Sequence, residues 1–299
     1  MKKIHVLDLN FLNLPHTVAA FLVESSVGPI LVETGPHSTI VSLEKSLGIH
    51  NYKLEDIKHV FLSHIHLDHA GAAWIFAKHG AKIYLHPFGA KNMADPTRLM
   101  ESATRIYQDK MDMLWGRMEK IPVSQLVEVG DQEVIEVGDV AMKSWHTPGH
   151  AKHHIAWQLD DAIFTGDVAG VKIDEGIVVP PCPPPDINIE DWKNSIEILR
   201  ELSPDKLYLT HYDAIENIDR HLDSLEAILD DWAAWIKKHW AAGESNEEMV
   251  PQFMAHVAGQ LTAAGLGKEE ILQYEAANPS WMSVAGLVRY WKKRVSKLD

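Results

Sequence analysis

The sequence predicts an α/β N-terminal portion followed by an all-helical C-terminal extension, and three observations carry that expectation. Through about the first two-thirds of the 299 residues, strand-like and helix-like segments alternate. From Ile218 onward the apolar spacing is helical throughout. Residues able to ligate metal recur where the strand-like runs end.

The elements follow in order. Val18 to Glu24 and Ile30 to Thr34 are β-rich runs separated by Ser25-Ser-Val-Gly-Pro29, which predicts a hairpin. Lys58 to Ser63 is a further strand, and Ala70 to Lys78 a helix that Gly80 is placed to stop. After a strand over Ala81 to Leu85, His86-Pro87 opens a long insert. Between Phe88 and Pro122, Met, Leu, Ile and Trp residues sit among polar ones, which predicts helices. Strands resume near Val134, at Val140 to His146, His154 to Leu159 and Ala162 to Thr165. The run Pro180-Pro-Cys-Pro-Pro-Pro185 permits only extended backbone and reads as a rigid connection. Asn188 then caps a helix carrying Ile189, Trp192, Ile196 and Leu199 on one face, and Lys206 to Thr210 is a short strand ending at His211. Beyond it, Ile218, Leu222, Leu225, Leu229, Trp232 and Ile236 form one stripe on a long helix, with shorter helices at Met249 to Leu261, Lys268 to Ala276 and Ser280 to Val295. The expected boundary lies near residue 215, giving a catalytic domain over 1–215 and a helical extension over 216–299.

Composition narrows the function. No stretch approaches the roughly 18 apolar residues of a membrane span, and Asp8 and Asn10 interrupt what a signal peptide would need, so a cytoplasmic protein is the expectation. The single cysteine, Cys182, has no partner for a disulfide or a thiolate zinc site, so any metal must be held by His and carboxylates. A net charge of -14 without a basic cluster argues against nucleic acid and against an acidic membrane surface.

The stretch Phe61-Leu-Ser-His-Ile-His-Leu-Asp-His-Ala-Gly71 crowds His64, His66, Asp68 and His69 between a strand and a helix. Two histidines at i and i+2 of a strand point the same way, so His64 and His66 can reach one cation, while Asp68 and His69 can aim at a second. With 18 histidines in the chain some pairs arise by chance, but an ordered H-x-H-x-D-H at a strand-to-helix turn is far harder to reach that way. Three more strand ends add ligands: Trp145-His-Thr-Pro-Gly-His150, Phe164-Thr-Gly-Asp167 and Leu207-Tyr-Leu-Thr-His211.

This ordered series resembles the signature of the metallo-β-lactamase-fold superfamily, and the match covers about the first 215 residues. The resemblance implies an αββα four-layer sandwich and a dinuclear centre in which His64, His66 and His150 hold one metal, Asp68, His69 and His211 the other, and Asp167 lies between. It implies two divalent ions, zinc foremost, with iron or manganese also compatible with imidazole and carboxylate ligands. A hydroxide bridging the two metals would then attack a carbonyl, with Asp68 accepting the proton and His154 supporting the ligands from behind. Glu33-Thr-Gly35 stands where the superfamily commonly carries an Asp, a position with a structural role.

Within the superfamily the chain is similar to the glyoxalase II and thioesterase-like branch with a helical extension, so an ester or thioester hydrolase is the expectation, acting on a small acyl substrate. A lactonase is an alternative, although no tyrosine follows Asp167 in Val168-Ala169-Gly170. A mononuclear-iron persulfide dioxygenase and a metal-containing effector that acts by binding are the others. Met111, Trp115 and Met118 are candidates for an apolar substrate wall, ordinary core packing being the competing reading of the same residues. The C-terminal helices offer a surface for a homodimer.

Overall fold

A computed structural model describes residues 2–296. The first half of the sandwich runs β1 (Ile4–Asp8), β2 (Ala19–Ser25), β3 (Gly28–Val32), α1 (Ile40–Ile49), β4 (His59–Phe61), α2 (Leu67–Ala70), α3 (Ala73–Lys78) and β5 (Lys82–Leu85). The insert follows as α4 (Pro87–Ala94), α5 (Thr97–Tyr107) and α6 (Met111–Leu114), and β6 (Leu126–Glu128) closes this half. The second half comprises β7 (Val134–Val137), β8 (Val140–His146), β9 (Ile155–Leu159), β10 (Ala162–Gly166), α7 (Ile189–Leu202), β11 (Lys206–Leu209) and β12 (Asp213–Ile215). Four helices follow among the described residues: α8 (Ile218–Ala241), α9 (Asn246–Ala263), α10 (Lys268–Ala277) and α11 (Ser280–Val295).

The strands form two six-stranded sheets, ordered β1-β2-β3-β4-β5-β6 and β12-β11-β10-β9-β8-β7. Period-two alternation builds the layers. In β2, Phe21 and Val23 face the second sheet, where they meet Met142, Trp157 and Phe164, whereas Leu22 joins Leu43, Leu47, Trp74 and Phe76 under α1 and α3. The outer face of the second sheet is covered by α7, α8, α9 and α11 through Trp192, Leu225, Trp232, Phe253 and Leu287. Helix, sheet, sheet, helix is the four-layer order expected. The sheets are also tied by hydrogen bonds, from Trp157 Nε1 to Leu62 O at 3.0 Å and from Ile155 N to Ser63 O at 2.7 Å.

Some expectations require correction. The helix placed over Ala70 to Lys78 is interrupted at Gly71–Ala72, where Ala72 N donates to Gly35 O at 3.0 Å instead of continuing the helical ladder and Ala72 leaves helical backbone. Strands β1, β6 and β12 were not expected. β6 and β12 are three residues each, too short to show a period, and β12 places a strand where helix alone was expected after His211. His64 and His66 lie in the loop after β4, which ends at Phe61, and not within the strand.

The α8 stripe is buried against the sandwich. Leu222, Leu225, Leu229 and Ile236 have no exposed surface, and Trp232 has 1%. At about 1.5–3 kcal/mol for each fully buried side chain, this face contributes a large part of the net stability of a domain. Truncation after Ile215 is therefore expected to give aggregating protein without a cooperative thermal transition. A soluble fragment melting at the full-length temperature would show the extension to be dispensable.

Candidate metal centre

Each ligand-bearing loop leaves a strand at the same edge of the sandwich. β4 runs parallel to β3 and β5, and β10 parallel to β11, so the loops carrying His64–His69, Asp167 and His211 emerge together. His150 arrives from the turn after β8. Gly149 has φ +138°, and a Cβ there would collide with the backbone of Trp192, so only glycine lets this turn press against α7. The N-cap of α7, Asn188, accepts from Asp191 N at 3.3 Å and fixes that helix in place.

The structure brings together every residue expected as a ligand. His64, His66 and His150 form one group, Asp68, His69 and His211 another, and His64, His69 and Asp167 a third that overlaps the first two. His66 Nδ1 lies 2.8 Å from His64 Nε2 and 3.0 Å from His150 Nε2. Asp167 faces both ways: Oδ2 is 3.3 Å from His150 Nε2, while Oδ1 is 3.2 Å from His69 Nε2 and 3.5 Å from His211 Nε2. Asp68 Oδ2 lies 3.6 Å from His211 Nε2 and 3.9 Å from His69 Nε2.

The surroundings prepare these groups for a cation. His150 Nδ1 donates to Pro181 O at 2.8 Å and His211 Nδ1 to Thr17 O at 2.7 Å, so each ring turns an Nε2 lone pair toward the centre. His69 Nε2 and Asp167 Oδ1 are buried and lie 3.2 Å apart, but no hydrogen bond satisfies either atom. Unpaired buried polar atoms cost about 1–3 kcal/mol each and are rare, and a divalent cation among these donors would satisfy both. Imidazole and carboxylate without thiolate fit zinc, iron or manganese.

The titration behaviour agrees. Burial, reinforced by neighbouring imidazoles, holds His64 and His66 well below the usual histidine range, as neutral ligands. Burial acts the same way on His69, but Asp167, Asp68 and Glu33 outweigh it and raise its pKa well above normal; His211 is raised by Asp167 and Asp68. Burial would raise Asp167, yet His69, His150 and His211 keep it strongly ionised, and Asp68 is likewise held below its ordinary value by His69 and His211. The carboxylates that favour positive charge at His69 and His211 would favour a bound cation in the same way.

His154 is buried and outside the ligand groups. Its Nδ1 donates to Thr147 Oγ1 at 2.8 Å, and its Nε2 accepts from Asp167 N at 3.2 Å, which orients the loop carrying Asp167. Glu33, whose part in the site the sequence did not reveal, is 1% exposed with φ 64°, accepts from Ser63 N at 3.2 Å and lies 3.5 Å from His69 Nδ1. It braces His69 from behind. His153, also unforeseen, has its ring 5.8 Å from that of His66 and lines the space in front of the centre.

That space is a cavity of about 1010 Å³, with His66, Asp68, His150, Asp167 and His211 at its floor. The insert contributes Leu99, Tyr107, Met113 and Trp115, and the C-terminal helices contribute Trp281 and Met282. Of the residues proposed for the wall, Trp115 lines it. Met111 and Met118 do not: each is 8% exposed and packs into the core beneath the insert, because the single turn of α6 directs Met111 inward and leaves Met113 facing out. No described helix is long and apolar enough to cross a membrane.

Comparison with known proteins places the chain. The family profile described as "Metallo-beta-lactamase superfamily" matches residues 14–211. The metallo-beta-lactamase fold-containing protein ST1585 of Sulfurisphaera tokodaii is 32% identical over 171 residues, 53% of this chain and 61% of that protein. "Probable metallo-hydrolase YqjP" of Bacillus subtilis is 23% identical over 208 residues, 63% of this chain and 65% of that protein. The matches thus span less than two-thirds of either relative's length. Among solved structures, the metallo-beta-lactamase family protein TTHA1429 from Thermus thermophilus superposes with a TM-score of 0.66 at 18% identity, covering 98% of this chain and 94% of that one. The subclass B3 metallo-beta-lactamase BJP-1 of Bradyrhizobium japonicum gives 0.58 at 16% identity, covering 82% and 94%. At these identities the structural likeness speaks for the fold alone.

Proposed function

The chain belongs to the metallo-β-lactamase superfamily, and on that premise we propose that it is a metal-dependent hydrolase cleaving an ester or thioester with an apolar acyl part. The observation that carries this reading is the opening of the His and Asp clusters directly onto a cavity walled by aromatic and aliphatic side chains. His64, His66 and His150 would hold one cation, and Asp68, His69 and His211 a second, with Asp167 between them. Divalent cations supply Lewis acidity toward a carbonyl oxygen and bring the pKa of water toward neutrality.

The rest falls to the chain's own residues. Asp68, ionised and partly open to the cavity at 22% side-chain exposure, accepts the proton of the attacking water. Neutral His64 and His66 ligate without needing to lose a proton, while Pro181 O and Thr17 O fix the His150 and His211 rings. Trp115, Leu99 and Trp281 hold the acyl part and exclude water from it. Carboxylates of Asp109, Asp186 and Glu275 also line the cavity, where Lys110 and Lys152 are the ammonium groups, and with a net charge of -14 this disfavours a polyanion.

The test compares p-nitrophenyl hexanoate and a hexanoyl thioester with a phosphodiester, at equal loading with zinc, iron or manganese. Faster cleavage of the carbonyl substrates is expected, and Trp115→Ala should shift the preferred acyl length. A faster phosphodiester overturns the substrate class, and thiol-dependent oxygen uptake by the iron form overturns hydrolysis.

A further inference from the structure

Tyr107 ends α5 and lines the same cavity as His66, Asp68, His150, Asp167 and His211. Its ring is held from two directions. Trp115 of the insert meets it edge-on with centroids 5.1 Å apart, and Trp281 of α11 does so at 5.7 Å. Phe11 stacks on Trp115 at 5.6 Å and backs that wall. A ring clamped between insert and C-terminal helices keeps one orientation, and its hydroxyl is fixed with it.

That hydroxyl donates to the thioether sulfur of Met282 at 3.4 Å. A thioether is a weak acceptor, so the phenol loses little by turning to an oxygen that arrives in the cavity. Burial, followed by the Asp68 charge, raises its pKa above the ordinary phenol value and keeps the proton on the oxygen.

We infer that Tyr107 donates a hydrogen bond to the carbonyl oxygen of the substrate at the metal centre, a part played by the insert and not by the strand-end loops. The inference rests on the ester or thioester chemistry proposed above. As negative charge develops on that oxygen the hydrogen bond strengthens, while the phenol keeps its proton and forms no covalent bond. Because the ring is braced by α11, the extension positions this donor as well as covering the second sheet.

Tyr107→Phe keeps the ring and its packing and removes only the hydroxyl. In the zinc-loaded full-length protein, kcat for p-nitrophenyl hexanoate should fall about 10- to 100-fold, with KM changed less than about threefold. The affinity for 1,1,1-trifluoro-2-octanone, whose hydrate presents a tetrahedral oxygen at the reacting position, should weaken by a similar factor in calorimetry. Metal content and melting temperature should not change. Unchanged kcat and ketone affinity in Tyr107→Phe overturn the inference, as does a loss confined to KM. If wild type cleaves neither ester nor thioester, the proposed chemistry fails by itself. The two ketone affinities still decide the role of Tyr107: a tenfold gap supports it and equality overturns it. Wild-type protein that also fails to bind the ketone overturns both.

Discussion

Asp68→Asn is expected to lower kcat by about 10²- to 10⁴-fold, the range supplied by a positioned general base. The substitution preserves size at a side chain that is 22% exposed, so the sandwich should fold and melt within a few degrees of wild type. What disappears is a carboxylate held ionised by His69 and His211 at the floor of the cavity. An amide cannot accept the proton of an attacking water, and it is a poorer ligand. Steady-state kinetics with metal content measured on the same samples separates the two losses. Unchanged kcat at full metal content would remove Asp68 from the mechanism.

Asp167→Ala should do more damage, because the two oxygens of this carboxylate approach ligands of both groups. Its Oδ2 approaches His150, its Oδ1 approaches His69 and His211, and it is 3% exposed. Removal leaves His69 and His211 without the strongest of the charges that raise their pKa values. Loss of a group that merely supports a ligand weakens metal affinity about 10- to 100-fold, so loss of this one should exceed about 100-fold. Metal per chain after dialysis, by elemental analysis, should fall well below that of wild type, and turnover should fall to background. Full retention of metal in the variant would show that Asp167 is no ligand.

The site was more legible in the sequence than the fold around it. His64, His66, Asp68, His69, His150, Asp167 and His211 lie at strand ends, where turn chemistry such as Pro148-Gly149 marks the chain locally, so their convergence needed little long-range information. The α8 stripe was legible for a similar reason, since a period of 3.6 sustained over a long helix has no strand counterpart. β6 and β12 were not, because three residues carry no period and their strand character comes from pairing with β5 and β11. Glu33 looked like a structural substitution. Its part in bracing His69 depends on a backbone at positive φ and on a contact across 36 residues of chain, neither of which the sequence displays. The wall residues were half legible: Trp115 lines the cavity, but Met111 turns inward because a one-turn helix sets its direction, Met118 packs into the core from the irregular segment beyond it, and Trp281 and Met282 reach the cavity only through tertiary packing.

The proposed centre would hold two cations with Asp167 between them. The most direct measurement is anomalous X-ray scattering from crystals of the metal-loaded protein, with elemental analysis of the same preparation. Two peaks are expected on either side of Asp167, one among His64, His66 and His150 and the other among Asp68, His69 and His211. A single iron peak with the second ligand group empty at saturating metal would contradict it.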